Sequence, residues 1–293
     1  MKTIFTVSLL VLLSLPGASS AVRVPDSQAE WGHLTTELAE AGLPSRFLKL
    51  LPKGFVQLEF ADLKTAAAEY HPDGHRMVFN LALSEGNKGR RFRPVHNIGN
   101  QELATMYHEL FHAYFDYIDF AADSAGMPAE AARLQAAAKR LLACRYTVVD
   151  VVAGPAQKAH QRTALVERRR LSESEGWDAL NETWGVFVGW AVWSKLEATN
   201  RLRTNWEWEA VEDFWNRLAE AYDDRILAGY FEPADPQARH VLPRVYLAPS
   251  DAISLPEIVL LLEVILAESP RLAEMAANWI AATDVEPVGL ASC

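Results

Sequence analysis

Cysteine is scarce in this chain, with Cys144 and Cys293 the only two among 293 residues. One intramolecular disulfide is the most that can form. A bridge would pin the C-terminal tail to the body, and two free thiols are the alternative. Cations are also in deficit, 28 Lys+Arg against 38 Asp+Glu, giving a formal charge of -10. Phosphate backbones are held by clustered cations, so nucleic acid is excluded as the main partner. The basic runs Lys88–Arg93 and Arg168–Arg170 are short and read as solvated faces or anion contacts. Internal repeats and low-complexity tracts are missing as well. Beyond the N-terminus no apolar run is long enough to span a bilayer: Ile258–Ala267 is short and carries Glu263.

What is present begins with a targeting signal. Lys2 supplies a positive start, and Ile4 to Leu15 is apolar apart from Thr6, Ser8 and Ser14. Pro16 to Ala21 brings a turn and the small residues that a signal peptidase needs. Cleavage is expected after Ala21, with Ser20 the alternative, so residues 1–21 are a signal peptide. The mature chain is expected to be secreted or periplasmic, with no stable membrane insertion. Half of all residues are hydrophobic, enough for a substantial core in one large domain or two lobes.

The patterning predicts a helix over Ser27–Ala41, capped by Asp26 or Ser27 and closed by Gly42, then a shorter helix over Pro44–Leu51. Phe55–Phe60 and Arg76–Leu83 read as strands, the second introduced by the Pro72-Asp73-Gly74 turn. Glu85–Asn100 reads as a loop. Helices are expected from about Asn100 to Asp119, then over Ala129–Cys144, Ala156–Leu171, Glu173–Ala198, Trp206–Tyr222, Pro256–Ala267 and Arg271–Ala282. Cys144–Val152 is either a strand or a continuation of the helix before it. Glu232–Leu255, with four prolines, is expected to be a long surface loop. The fold class is therefore α+β and predominantly helical. A small α+β N-terminal lobe (residues 22–122) precedes an all-helical C-terminal lobe (residues 123–293).

One segment carries chemistry. His108-Glu109-Leu110-Phe111-His112 reads H-E-x-x-H. On a helix the two histidines lie one turn apart on the same side, and their imidazoles can grip one divalent metal, typically zinc. Glu109 can then reach a water on that metal and take its proton. Projected at 100° per residue, Gln101, Thr105, His108, Glu109, His112, Asp116 and Asp119 fall within one arc of about 100°. A solvated polar stripe is the plain alternative. Phe111 and Phe115 border the histidines, and an apolar rim suits the floor of a cleft better than open surface.

A catalytic zinc usually takes three protein ligands. The extended pattern H-E-x-x-H-x-x-G-x-x-H is excluded, because Phe115 and Ile118 stand at its glycine and last histidine. Glu182 is the candidate third ligand. From Ala179 to Ser194 it is the one ionisable side chain in an apolar, tryptophan-rich helix. A buried carboxylate is costly unless a cation meets it. Gly185 and Gly189 share its face and would let another helix come close. Glu173, Glu175, Asp178, Glu209 and Asp213 are rivals in more polar surroundings, and a buried ion pair is the structural alternative for Glu182. The sequon Asn181-Glu182-Thr183 is read as accidental.

With His108, Glu109, His112 and Asn181-Glu182 in place, the chain resembles the zincin metallopeptidases, in their gluzincin arrangement. The resemblance covers roughly Arg76–Asp119 and Trp177–Trp193. It implies a zincin-like fold around the motif helix and one zinc held by His108, His112 and Glu182, with Glu109 as general base. A peptide or protein substrate would pair along the strand before that helix, here Arg76–Leu83. One position departs from the pattern: thermolysin-like members carry an aspartate four residues after the ligand glutamate, and this chain has Val186. Support for a histidine would fall to Asp116, Asp119 or a backbone carbonyl. His240, Arg244 and Tyr246 are the candidates for a donor to the oxyanion. The expected function is an exported zinc metallopeptidase. The alternatives are a secreted, non-catalytic protein binding through Trp177, Trp184, Trp190 and Trp193, and a zinc amidase acting on a cell-wall or other non-protein amide.

Overall fold

A computed structural model describes residues 21–121, 127–153, 166–199, 208–267 and 270–282. The signal peptide expected over residues 1–21 falls, but for Ala21, outside them. The first helix, α1 (Ser27–Glu40), begins where Asp26 accepts a hydrogen bond from the Ala29 amide at 2.9 Å. It ends at Gly42, whose φ of +69° takes the chain out of the helix. Pro44–Leu51 yields only a 3-10 turn, Phe47–Leu50.

A four-stranded sheet follows, built from β1 (Val22–Arg23), β2 (Gln57–Ala61), β3 (Ala68–His71) and β4 (Arg76–Asn80), in the order β1-β2-β4-β3. Strand β3 was not expected: Ala66, Ala67 and Ala68 lead into it, and alanine is depleted in strands. Its presence corrects the expectation for Arg76–Leu83. That segment is a strand only to Asn80 and becomes a 3-10 turn over Leu81–Leu83. More important, β4 is interior, bonded to β2 in parallel and to β3 antiparallel. It has no free edge for a substrate, and the edge belongs to β3.

The motif helix is α2 (Asn100–Phe120). Glu102 caps its first turn by accepting from the Gly99 amide at 2.7 Å. Helix α3 (Ala129–Ala143) leads to β5 (Val148–Val152), which pairs with β6 (Val166–Arg170). The helix expected over Ala156–Leu171 is therefore wrong across its described part. Asp150 stands directly opposite Arg168 and binds its guanidinium at 3.1 Å, so long-range pairing overrides helix-favouring Glu and Arg. The C-terminal half is consequently not all-helical.

Helix α4 (Glu173–Ala198) opens on a reciprocal cap. Glu175 donates its amide to the Ser172 hydroxyl, while its carboxylate accepts from the Ser172 amide. Buried residues surround it on all sides from Ala179 to Val192, as an apolar helix requires. Then come α5 (Trp208–Asp223), β7 (Tyr230–Phe231), α6 (Pro236–Val241), β8 (Val245–Tyr246), α7 (Leu255–Val264) and α8 (Pro270–Ala281). The surface loop expected over Glu232–Leu255 is partly internal. Strand β8 pairs with β7, and Val245, Leu247, Ala248 and Ile253 are buried. One contiguous apolar core runs from Val24 to Ala276 through both halves. Among the described residues no helix is long and apolar enough to cross a membrane. Cys144 is disulfide-bonded, and Cys293, the one other cysteine, lies outside the described residues.

Candidate metal centre

Helices α2 and α4 cross antiparallel, and two glycines set how closely. A methyl group on Gly189 would sit 2.8 Å from the Ala104 carbonyl oxygen. One on Gly185 would sit 2.9 Å from Cε1 of His112 and 3.1 Å from Cε1 of His108. Only glycine lets the two backbones approach until both imidazoles lie against α4. The middle of the polar arc of α2 is thereby covered rather than solvated, with His108 5% and His112 7% exposed, while Gln101 and Asp119 at its ends stay exposed.

The two Nε2 atoms face each other at 2.9 Å. Glu182 Oε2 lies 3.3 Å from Nε2 of His108, and Oε1 lies 3.6 Å from Nε2 of His112. Ligand atoms about 2.0–2.1 Å from a tetrahedral zinc stand about 3.3 Å from one another, so these three donors have the spacing of one shared cation. Glu182 Oε2 is buried and takes no hydrogen bond from a described residue. Two nitrogens and a carboxylate, with an orphaned oxygen among them, fit a zinc ion.

Glu109 is a second carboxylate within 4.8 Å of both imidazole nitrogens. We place it beside the metal position, because its Oε2 already accepts from the Tyr70 amide at 2.8 Å. That amide comes from the free edge of β3. Burial pushes the Glu109 carboxyl up to about 7, with His112 opposing and Glu182 adding to the rise. Burial also pushes the Glu182 carboxyl up, but His112, His108 and the Tyr230 hydroxyl outweigh it and hold Glu182 below the usual carboxylate range.

Three functional contacts escaped the sequence. Tyr230 on β7 follows Gly229, whose backbone packs against Glu182, and its hydroxyl feels the charge of both Glu182 and Glu109. Burial and these carboxylates keep its hydroxyl protonated, with the Arg244 guanidinium stacked 4.7 Å over the ring. A Cβ on Gly229 would lie 2.5 Å from the Thr183 amide nitrogen, so the missing side chain is what lets this strand press onto α4. Asn181 Oδ1 accepts from Nδ1 of His112 at 2.8 Å, which fixes that tautomer and turns the Nε2 lone pair toward Glu182. Tyr70 is the third. Nothing local marks Tyr230 or Tyr70, but Asn181 had a signal in its place beside Glu182.

Other expectations resolve differently. Asp116 supports no histidine of the centre; it accepts from the Tyr70 hydroxyl and binds His75 Nδ1 at 2.7 Å. Asp119 is exposed at the far end of α2. Glu175 is spent on its cap and on Arg169, and Asp213 on Arg217. Glu173 is exposed, Asp178 lies one turn before Glu182, and the Glu209 side chain is outside the described residues. His240 is exposed on α6, and Arg244 meets the centre only through Tyr230. The ring of Tyr246 lies 5.6 Å from that of Tyr230 on the neighbouring strand. Trp184 and Trp190 are buried, while Trp177 and Trp193 pack half-buried on the core.

No protein-family model matches this chain, and no curated protein or solved structure is significantly similar to it.

Proposed function

We propose that this protein is a zinc-dependent metallopeptidase of the zincin type, in the gluzincin arrangement. The supporting observation is the mutual spacing of His108, His112 and Glu182, 2.9–3.6 Å across three donors, with Glu109 beside them. Bound there, zinc would supply Lewis acidity, drawing the pKa of a water toward neutrality and polarising a carbonyl oxygen. The side chains have separable tasks. Glu109 takes the proton of the attacking water and passes it to the leaving amine. Tyr230 donates its hydroxyl hydrogen to the carbonyl oxygen as charge develops on it. Asn181 holds His112 in the ligating tautomer. The free edge of β3 pairs with the peptide main chain, and its Tyr70 amide steadies the Glu109 carboxylate.

Metal analysis after dialysis, paired with a peptide-cleavage assay, tests the reading. One zinc per chain is expected. Glu109→Gln keeps the zinc and loses hydrolysis; full activity in that variant removes Glu109 as the base. Glu182→Ala lowers zinc occupancy well below that of Asp213→Ala, and equal occupancy in the two removes Glu182 as a ligand.

A further inference from the structure

A groove of about 670 Å³ opens between α2, α3 and the first turns of α4. Ile118, Leu142 and Trp177 make its apolar lining, and Asp119, Lys139 and Asp178 are among its polar groups. Trp177 is held rigidly, stacked on Phe115 with ring centroids 4.5 Å apart. One residue of its lining, Asp178, shares α4 with Glu182. Asp178 is four residues before Glu182 on the same helix face, about 6 Å along the axis. Two residues of extended peptide cover that distance.

The charges of the groove are unbalanced. Among the described residues neither Asp119 nor Asp178 has a salt-bridge partner. Glu182 and Glu232 add negative charge around Asp178, and Arg239, which opposes them, is paired with Glu232 at 3.8 Å. Lys139 opposes the rise at Asp119. Burial, with these carboxylates, raises the Asp178 carboxyl to about 6. A neutral side chain entering here would strip water from both carboxylates and return nothing. A cation on an apolar stem would satisfy both parts of the lining.

We propose that this groove is a specificity subsite for a lysine or arginine side chain of the peptide substrate, about two residues from the bond cleaved. The stem lies along Trp177, Ile118 and Leu142, and the cation sits between Asp178 and Asp119. This rests on the metallopeptidase reading, and the test separates the two. Zinc-loaded protein is offered peptides that carry lysine, arginine, norleucine or glutamate in turn at each position flanking the scissile bond. One position is expected to favour the basic residues over norleucine by about tenfold or more in kcat/KM. Asp178→Asn and Asp119→Asn each cut that ratio several-fold, and Asp119→Lys moves the preference toward glutamate. The ratio is internal to each variant, so partial loss of folded protein leaves it unchanged. Calorimetry with zinc-loaded Glu109→Gln reads the same discrimination as binding, without turnover. Cleavage with no basic preference, or a preference that survives both Asn substitutions together, overturns the subsite and leaves the peptidase standing. No cleavage of any peptide by the zinc-loaded protein overturns both.

Discussion

A single methyl group is enough to disturb the centre at Gly185. The added carbon would stand 2.9 Å from Cε1 of His112, so the imidazole must tilt away from His108 and Glu182. Gly185→Ala is expected to weaken zinc binding by about tenfold or more, read by competition with a chelator. Gly32→Ala is the control. It has nothing within 4 Å of its new Cβ and lies inside α1, so it should stabilise the fold by about 0.5–1 kcal/mol in thermal melts. Tyr230 makes the complementary case, because its hydroxyl stays protonated and feels the charge of both Glu182 and Glu109. Tyr230→Phe should lower kcat by about 10²–10³-fold while KM changes little. An unchanged kcat would remove Tyr230 from the chemistry.

Among the elements, α4 matters most, and it is fixed from behind. Glu257 on α7 is buried and accepts from Trp184 Nε1 at 2.8 Å, as well as from Arg145, Ser254 and Tyr146. This cluster ties α7 and the entry to β5 against the helix that carries Glu182. Arg145→Met leaves a carboxylate that is 1% exposed without its cation. The expected cost is about 3–5 kcal/mol in urea unfolding, and adding Glu257→Gln should restore part of it. On the opposite side of the centre, the β3–β4 hairpin is held to α2 by the Tyr70–Asp116–His75 contacts. The same hairpin presents the Tyr70 amide to Glu109, so element packing and the placement of that carboxylate are one arrangement.

For the molecule as a whole, the excess of acidic groups becomes a dependence on pH. Asp178 has a folded-state pKa of about 6 against an ordinary 3.8, because burial and neighbouring carboxylates oppose its ionisation. A raised carboxyl favours the folded state when protonated. Its contribution is full below pH 3.8 and is lost as pH climbs through about 6. In metal-free protein, Asp178→Asn should therefore match the wild type in Tm near pH 4 and exceed it above pH 6.5. A Tm difference that stays constant across that range would contradict the assignment. The basic side chain proposed for the groove would act on the same group in the opposite sense, by favouring its charged form.

The sequence by itself determined what depends on neighbours along the chain. The i,i+4 spacing of His108 and His112 places both imidazoles on one face of any helix that forms there. The capping residue Asp26 and the closing Gly42 mark the ends of α1 within a residue or two, because their effects are local. Glu182 was legible for a similar reason, as one charge within an apolar stretch. The tertiary structure alone decided which strand is the edge, since Ala-rich β3 gains its place only by pairing with β4. It also decided that Arg168 lies in a strand opposite Asp150, and that Tyr230 reaches Glu182. Those contacts join segments far apart in the chain and depend on close backbone approaches at Gly185, Gly189 and Gly229. Local propensity carries no term for such meetings, so only the packed core could make them.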